Sequence, residues 1–136
     1  MSEAPGVLFV CVKNGGKSQI AAGLMRALSA GKVRVDSAGT APGNAVSALA
    51  AEVLRDRGIE IGSEVPTLLT DDAMRRAGLV VVLGAEANVA PVAGVRVETW
   101  HTDEPSTRGI DGRERMELVC DDIEQRVRAL LETLSR

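Results

Sequence analysis

"VLFVCVKNGGKS", residues Val7–Ser18, runs apolar and then breaks into a glycine-bearing turn that closes on Lys17 and Ser18. An apolar run without alternation, Val7–Val10, reads as a short strand covered on both faces, as in a parallel sheet. Ser18 reads as the cap of a helix reaching about Leu28, with Ile20, Leu24 and Leu28 at fourfold spacing. A strand that turns into a helix through such a loop aims several backbone N–H groups at one point, and the helix N-terminus adds partial positive charge there. The stretch Val12, Lys13, Asn14, Gly15, Gly16 and Lys17 therefore suits a tetrahedral oxyanion. Asn14, Gly15 and Gly16 tolerate the left-handed or open backbone that such a nest requires.

Part of the stretch also fits a nucleotide-binding loop, G-x-x-x-x-G-K-[ST]. Cys11 stands where that motif needs its first glycine. The later strand Leu79–Leu83 runs into Gly84 and Ala85, and no Asp is there to help hold Mg²⁺. The loop is better read as built around a cysteine. The dipoles that attract an anion also favour a thiolate, Lys13 and Lys17 are close by, and the Ser18 hydroxyl is placed to hydrogen-bond the sulfur. Such a loop holds an oxyanion and aims a nucleophile at its central atom.

Working outward, Lys32–Asp36 alternates as a second strand, closed by "SAGT" at Ser37–Thr40. Asn44 to Arg57 reads as a helix with Val46, Leu49, Val53 and Leu54 on one face and Gly58 as its stop. Thr70, followed by Asp71 and Asp72, opens a short helix to about Ala77. "LVVVL", Leu79–Leu83, is the strongest buried-strand signal, and Val95–Thr99 is a fourth strand. His101 to about Gly109 reads as a polar loop and Asp111 onward as a long final helix. Strands alternating with helices mean βαβ units and a parallel sheet, with ligands bound beyond the carboxyl ends of the strands. The Cys11 loop lies at such an end.

The chain's 136 residues make one domain, 1–136, with 45% apolar and 26% charged residues as in globular proteins. With aromatic residues at 1%, the core must come from Val, Leu, Ile and Ala. A net charge of −3 without a long basic run argues against nucleic acid or anionic membrane as partner. No apolar run approaches the roughly 18–20 residues that span a bilayer. The opening "MSEAPG" lacks the charged and apolar regions of a signal peptide, so the expected location is the cytoplasm. Cys11 and Cys120, far apart and with a single histidine in the chain, form neither a disulfide framework nor a metal pattern.

"VLFVCVKNGGKSQIAAGLMRAL", "SAGT", "GLVVVLG" and "ETWHTDEPSTRG" followed by "RERMELVCDDIEQRVRALLETL" together resemble the low-molecular-weight protein tyrosine phosphatase superfamily, and within it the arsenate reductase branch. The resemblance implies a three-layer αβα sandwich around a central four-stranded parallel sheet. It implies that Cys11 is the nucleophile, that Lys17 and the loop N–H groups bind the oxyanion, and that Asn14 shapes the loop. Ser18 would supply the thiolate-stabilising hydroxyl. Glu104, before Pro105, would protonate the leaving oxygen, with Asp103 as its rival. Lys17 stands where the family usually carries Arg; "NGGKSQ" is similar to actinobacterial arsenate reductases that also use lysine.

The fold supports two chemistries, phosphate ester hydrolysis and arsenate reduction. Phosphotyrosine phosphatases of the family place aromatic side chains at the entrance. Here Ser106 and Thr107 follow Pro105, and Phe9 and Trp100 are the chain's aromatic residues. That favours a small inorganic oxyanion, arsenate or phosphate, and arsenate reduction over hydrolysis of aryl phosphates; a non-catalytic oxyanion binder is a third reading. Thioredoxin-coupled reductases of the branch use two further cysteines near the third strand, where this chain reads "VLGAEANVAPVAG". Cys120 shares a helical face with Met116, Val119, Ile123, Val127, Leu130 and Leu134 and reads as core filler. The resemblance thus implies an external low-molecular-weight thiol as co-substrate, mycothiol or another, no tightly bound cofactor, and a mycoredoxin or glutaredoxin-like reductase that releases arsenite. His101 reads as a solvated loop residue, Trp100 as the cover of the core edge. Arg108 is an ordinary loop arginine, and Glu117, Asp121, Asp122, Arg126 and Arg128 read as a solvated face.

Overall fold

Four parallel strands, β1 (Gly6–Cys11), β2 (Arg34–Gly39), β3 (Leu79–Leu83) and β4 (Arg96–Trp100), lie side by side in the order β2-β1-β3-β4. The structure is a computed structural model and describes residues 4–135; the first residues of "MSEAPG", on which the absence of a leader was read, lie outside them. The chain runs from β1 to the edge at β2 and returns past β1 to β3. The switch in direction therefore falls between β1 and β3, and the loop after β1 opens into it.

Each central strand is apolar on both sides, because both faces of the sheet are covered. Val7 and Phe9 of β1, with Val81 and Leu83 of β3, face a core shared with α1 (Lys17–Ser29), α2 (Ala48–Asp56) and α4 (Gly112–Leu134). Leu8 and Val10, with Val80 and Val82, face a smaller core closed by Met74 of α3 (Asp71–Ala77). These two layers and the sheet form the expected αβα sandwich. Trp100 packs at 5.8 Å, centroid to centroid, on Phe9 and is 9% exposed, so it belongs to the core edge as expected. Arg57 ties α2 to α4 through Glu117 (2.8 Å), Asp121 (2.9 Å) and Glu124 (3.3 Å). Among the described residues no helix is long and apolar enough to cross a membrane.

Several boundaries differ from the sequence expectation, and three of them do so for a reason tied to the Cys11 loop. β2 is displaced toward its C-terminus, to Arg34–Gly39, because Ser37, Ala38 and Gly39 pair with Phe9, Val10 and Cys11. Helix α2 starts at Ala48, not Asn44: Ser47 accepts a hydrogen bond from the Ala50 N–H as cap, while its own N–H goes to Gly15 O at 2.6 Å. α1 begins at Lys17 with Gly16 in the capping position and no side-chain cap. Ser18, expected to cap it, is turned to Cys11 instead. β4 is Arg96–Trp100, and the polar loop after it contains a 3₁₀ turn at Pro105–Arg108.

Cys120 is fully buried on α4 and a free thiol, among Met116, Val119 and Ile123. Burial pushes its thiol up to about 11. Its charged neighbour Arg57 borders a hollow with Leu24 and Leu28, toward the C-terminal end of α1, whereas Cys11 lies at the helix's N-terminal end. Iodoacetamide at neutral pH is therefore expected to add one adduct to the folded protein, at Cys11, and a second only after unfolding. Rapid double labelling of the native protein, read by intact mass, would contradict this packing.

Candidate active site

Every loop carbonyl from Cys11 to Gly15 is claimed from outside the loop. Thr40 N–H donates to Cys11 O (3.1 Å), Ala41 to Val12 O (2.8 Å), Gly43 to Lys13 O (2.9 Å) and Ser47 to Gly15 O (2.6 Å). Gln19 Nε2 donates to Asn14 O at 3.1 Å. Among the described residues no peptide bond is cis, so each outward carbonyl turns the N–H of the next residue the opposite way. The N–H groups of Val12 to Gly16 are fixed in this manner, and the Asn14 N–H reaches Cys11 Sγ at 3.2 Å. Preorganised donors of this kind need not rearrange when an anion arrives.

Asn14 holds the loop's shape from within. It is fully buried, with φ of 53° in the left-handed region that asparagine tolerates. Its Oδ1 accepts from Thr67 N–H at 3.0 Å and from Gln19 Nε2 at 3.3 Å. Two donors there orient the carboxamide, so Nδ2 donates to Ser18 Oγ at 2.7 Å. The Ser18 hydroxyl lies 2.9 Å from Cys11 Sγ and keeps its own proton available to donate to the sulfur when the sulfur is ionised. The sulfur thus lies within hydrogen-bond reach of a backbone N–H and a hydroxyl.

Lys17, the first residue of α1, is paired through its ammonium with the Glu104 carboxylate. A side chain at Gly84, where β3 ends, would come 3.7 Å from Lys17 Nζ, so the ammonium lies between that strand end and Glu104. Asp103 turns elsewhere. Its two oxygens meet Arg108 at 2.8 and 3.1 Å, and the hydrogen bond from that guanidinium holds the Asp103 carboxyl below the usual range. Its N–H donates to Asp122 Oδ2 at 2.8 Å. Asp122, which also pairs with Arg126 at 3.1 Å, is therefore more than part of a solvated face: it pins the acidic loop to α4. Arg126 in turn donates to His101 O, and His101 itself is exposed. Among the described residues no group of His, Cys, Asp and Glu is arranged to hold a metal ion.

Of the expected site residues, Cys11, Asn14 and Ser18 share one hydrogen-bonded cluster, Lys17 and Glu104 form an ion pair beside the end of β3, and Val12, Lys13, Gly15 and Gly16 form the loop between Cys11 and Lys17. Gln19, Thr67 and Asp122 were not legible as site residues. Gln19 offered one signal, a polar residue on the buried face of α1.

A family model described as low molecular weight phosphotyrosine protein phosphatase matches residues 6–136. The chain belongs to that family. Its curated relatives include a putative arsenate reductase of Halobacterium salinarum, 29% identical over 88% of this chain and 85% of that protein. The solved thioredoxin-dependent arsenate reductase of Corynebacterium glutamicum is 30% identical, with a TM-score of 0.83 over 98% of this chain; this chain spans 63% of its length. A second arsenate reductase, solved in its phosphate-binding state, is 26% identical with a TM-score of 0.80, over 96% of this chain and 98% of that one. The resemblance to the low-molecular-weight phosphatase superfamily and the sandwich it implied are both borne out.

Proposed function

We propose that the protein reduces arsenate to arsenite, with Cys11 as nucleophile and an external low-molecular-weight thiol, mycothiol, as co-substrate. The observation that carries the reading is the convergence on Cys11 Sγ of the Asn14 N–H and the Ser18 hydroxyl, inside a loop whose carbonyls are all held outward. Relatives named as arsenate reductases support the choice of oxyanion. So does the absence of an aromatic entrance, since Phe9 and Trp100 are both buried.

In the first step the Cys11 thiolate attacks arsenic. Glu104, released from Lys17 by the entering oxyanion and protonated from solvent, gives that proton to the departing hydroxyl, which leaves as water, and a thiol-bound arsenate remains on Cys11. The five loop N–H groups and Lys17 take the negative charge of the other oxygens. Lysine serves as a point charge, not a planar fork. The entering oxyanion competes with Glu104 for it, which frees the carboxyl to face the leaving oxygen. In the second step the external thiolate attacks arsenic and Cys11 leaves. The resulting thiol–arsenate adduct is reduced when a thiol of a mycoredoxin-like reductase attacks its sulfur. A mixed disulfide forms, the two sulfurs supply two electrons, and arsenite is released.

Glu104 and Asp103 separate cleanly in this scheme. Glu104→Gln removes the proton donor and is expected to cut turnover by about 10²–10⁴-fold. Asp103 is held ionised by Arg108 and has no proton to give near neutral pH, so Asp103→Asn should stay within about threefold of wild type. Steady-state rates at saturating arsenate decide; a reversal of the two would move the acid to Asp103. The reading as a whole is tested by mixing the protein with arsenate, mycothiol and mycoredoxin and following NADPH use through the coupled reductase. No turnover beside brisk hydrolysis of aryl phosphate would make it a phosphatase.

A further inference from the structure

The proposed reaction needs the external thiol to reach arsenic while arsenic is bound to Cys11, because Cys120 is buried away from the loop. The hollows on the described surface include three of note. One lies at the far end of α1, beside Leu24 and Arg57, and one under Trp100, beside Arg96 and Leu134. The third, of about 470 Å³, borders the Cys11 loop itself and is lined by Lys13, Gly15, Gly16, Gly43, Asn44 and Ser47. We infer that this third hollow seats the body of a small thiol that carries hydroxyl and amide groups.

Its volume lies within the range of small-molecule sites, roughly 300–1,000 Å³. Its walls are preorganised: Gly43 N–H is tied to Lys13 O and Ser47 N–H to Gly15 O, so the two walls cannot drift apart. It is kept empty by small residues. A side chain at Gly15 would meet Ala45 O at 2.9 Å, and Gly16 has no neighbour within 4 Å of where one would start. Nothing aromatic lines it, so it offers no stacking surface to a phenyl ring. Its polar groups are available: among the described residues neither the Lys13 ammonium nor the Asn44 carboxamide has a hydrogen-bond or ion-pair partner. A carboxamide that donates and accepts, beside an ammonium that donates, matches hydroxyl and amide groups. A ligand seated there has its thiol carried along Gly15 and Gly16 to the mouth of the loop.

The inference rests on the reductase reading, and the experiment separates the two. Gly43→Val fills the hollow: a side chain at Gly43 first meets Lys13 Cβ at an ordinary 3.7 Å, and its φ is not left-handed. Asn44→Ala removes the carboxamide. In the coupled assay, the KM for mycothiol should rise about tenfold or more in Gly43→Val and about threefold in Asn44→Ala. The KM for arsenate should stay within about twofold in Asn44→Ala, whose side chain holds no loop carbonyl, and melting temperatures should confirm that both variants fold. Unchanged thiol KM in both variants overturns the assignment, as does equal turnover with thioredoxin and no small thiol. If wild type turns over with neither reductant, the reductase reading fails, and the hollow is judged by amide NMR with S-methyl mycothiol. Saturable shifts at Gly43, Asn44 and Ser47 uphold it; their absence overturns it.

Discussion

Cys11→Ser is expected to lower arsenate turnover by at least about 10³-fold while leaving the loop able to bind phosphate. At about 1.4 kcal/mol per tenfold, that is roughly 4 kcal/mol of lost transition-state stabilisation. A serine hydroxyl at this position stays protonated and is a poor nucleophile, and nothing in the site is placed as a base to activate it. The Ser18 hydroxyl and the Asn14 N–H already lie within hydrogen-bond reach of the atom at position 11. Oxyanion binding should survive because its donors are backbone groups, oriented by carbonyls that Thr40, Ala41, Gly43 and Ser47 hold from outside. Removing a negative sulfur from beneath a negative ligand also removes a repulsion, so phosphate should bind as tightly as to wild type, or more so. Calorimetry with phosphate and the coupled assay, run on one preparation, give both numbers. Turnover above about a hundredth of wild type would mean that the nucleophile is another atom.

Ser18→Ala, by contrast, leaves the sulfur in place and removes one of its two donors. It also strands Asn14 Nδ2, which donates to Ser18 Oγ inside a fully buried site. An unsatisfied buried donor costs about 1–3 kcal/mol. Both stability and the rate of Cys11 alkylation should therefore fall together, a coupling that a simple capping serine would not produce.

How far this was legible in the sequence depends on how local each contact is. Cys11, Asn14, Lys17 and Ser18 lie within one strand–loop–helix turn, and their spacing alone placed them around one anion. Ser47 looked like the interior of a helix because Val46 and Leu49 follow a helical spacing; its N–H is instead drawn to Gly15 O, which no local pattern records. The same holds for Thr67, which reaches Asn14 across a long stretch of chain, and for Asp122, which reaches back to the Asp103 N–H from α4. Asp103 and Glu104 are neighbours of like charge, and only the chain's path sends one to Arg108 and the other to Lys17. Where β2 ends was equally invisible: small and polar residues, Ser37 to Gly39, are strand only because Phe9 to Cys11 lie alongside them.

Gly39 shows why that last pairing matters, and its replacement by alanine is expected to damage stability and turnover at once. Gly39 sits opposite Cys11 in the sheet. A Cβ there would lie 2.5 Å from Val12 O and 3.0 Å from both Asn14 Cβ and Asn14 N. Two of these are backbone atoms, and the Val12 carbonyl is itself held by Ala41 N–H, so the loop cannot swing aside cheaply. Gly39 also donates its N–H to Thr67 O and accepts from Leu69 N–H, so displacing Gly39 instead would pull Thr67 off Asn14. Overpacking of this kind costs about 1–3 kcal/mol, a fall in melting temperature of roughly 3–10 °C for a chain of this size. Turnover should drop by about 10²-fold, the scale set by an ångström of misplacement at a reacting centre. Gly43→Ala, whose new Cβ meets only Lys13 at 3.7 Å, is the control and should melt within about 2 °C of wild type. If Gly39→Ala melted and turned over like that control, the cradle would be soft, and its carbonyl anchors could not be what fixes the N–H groups on the anion.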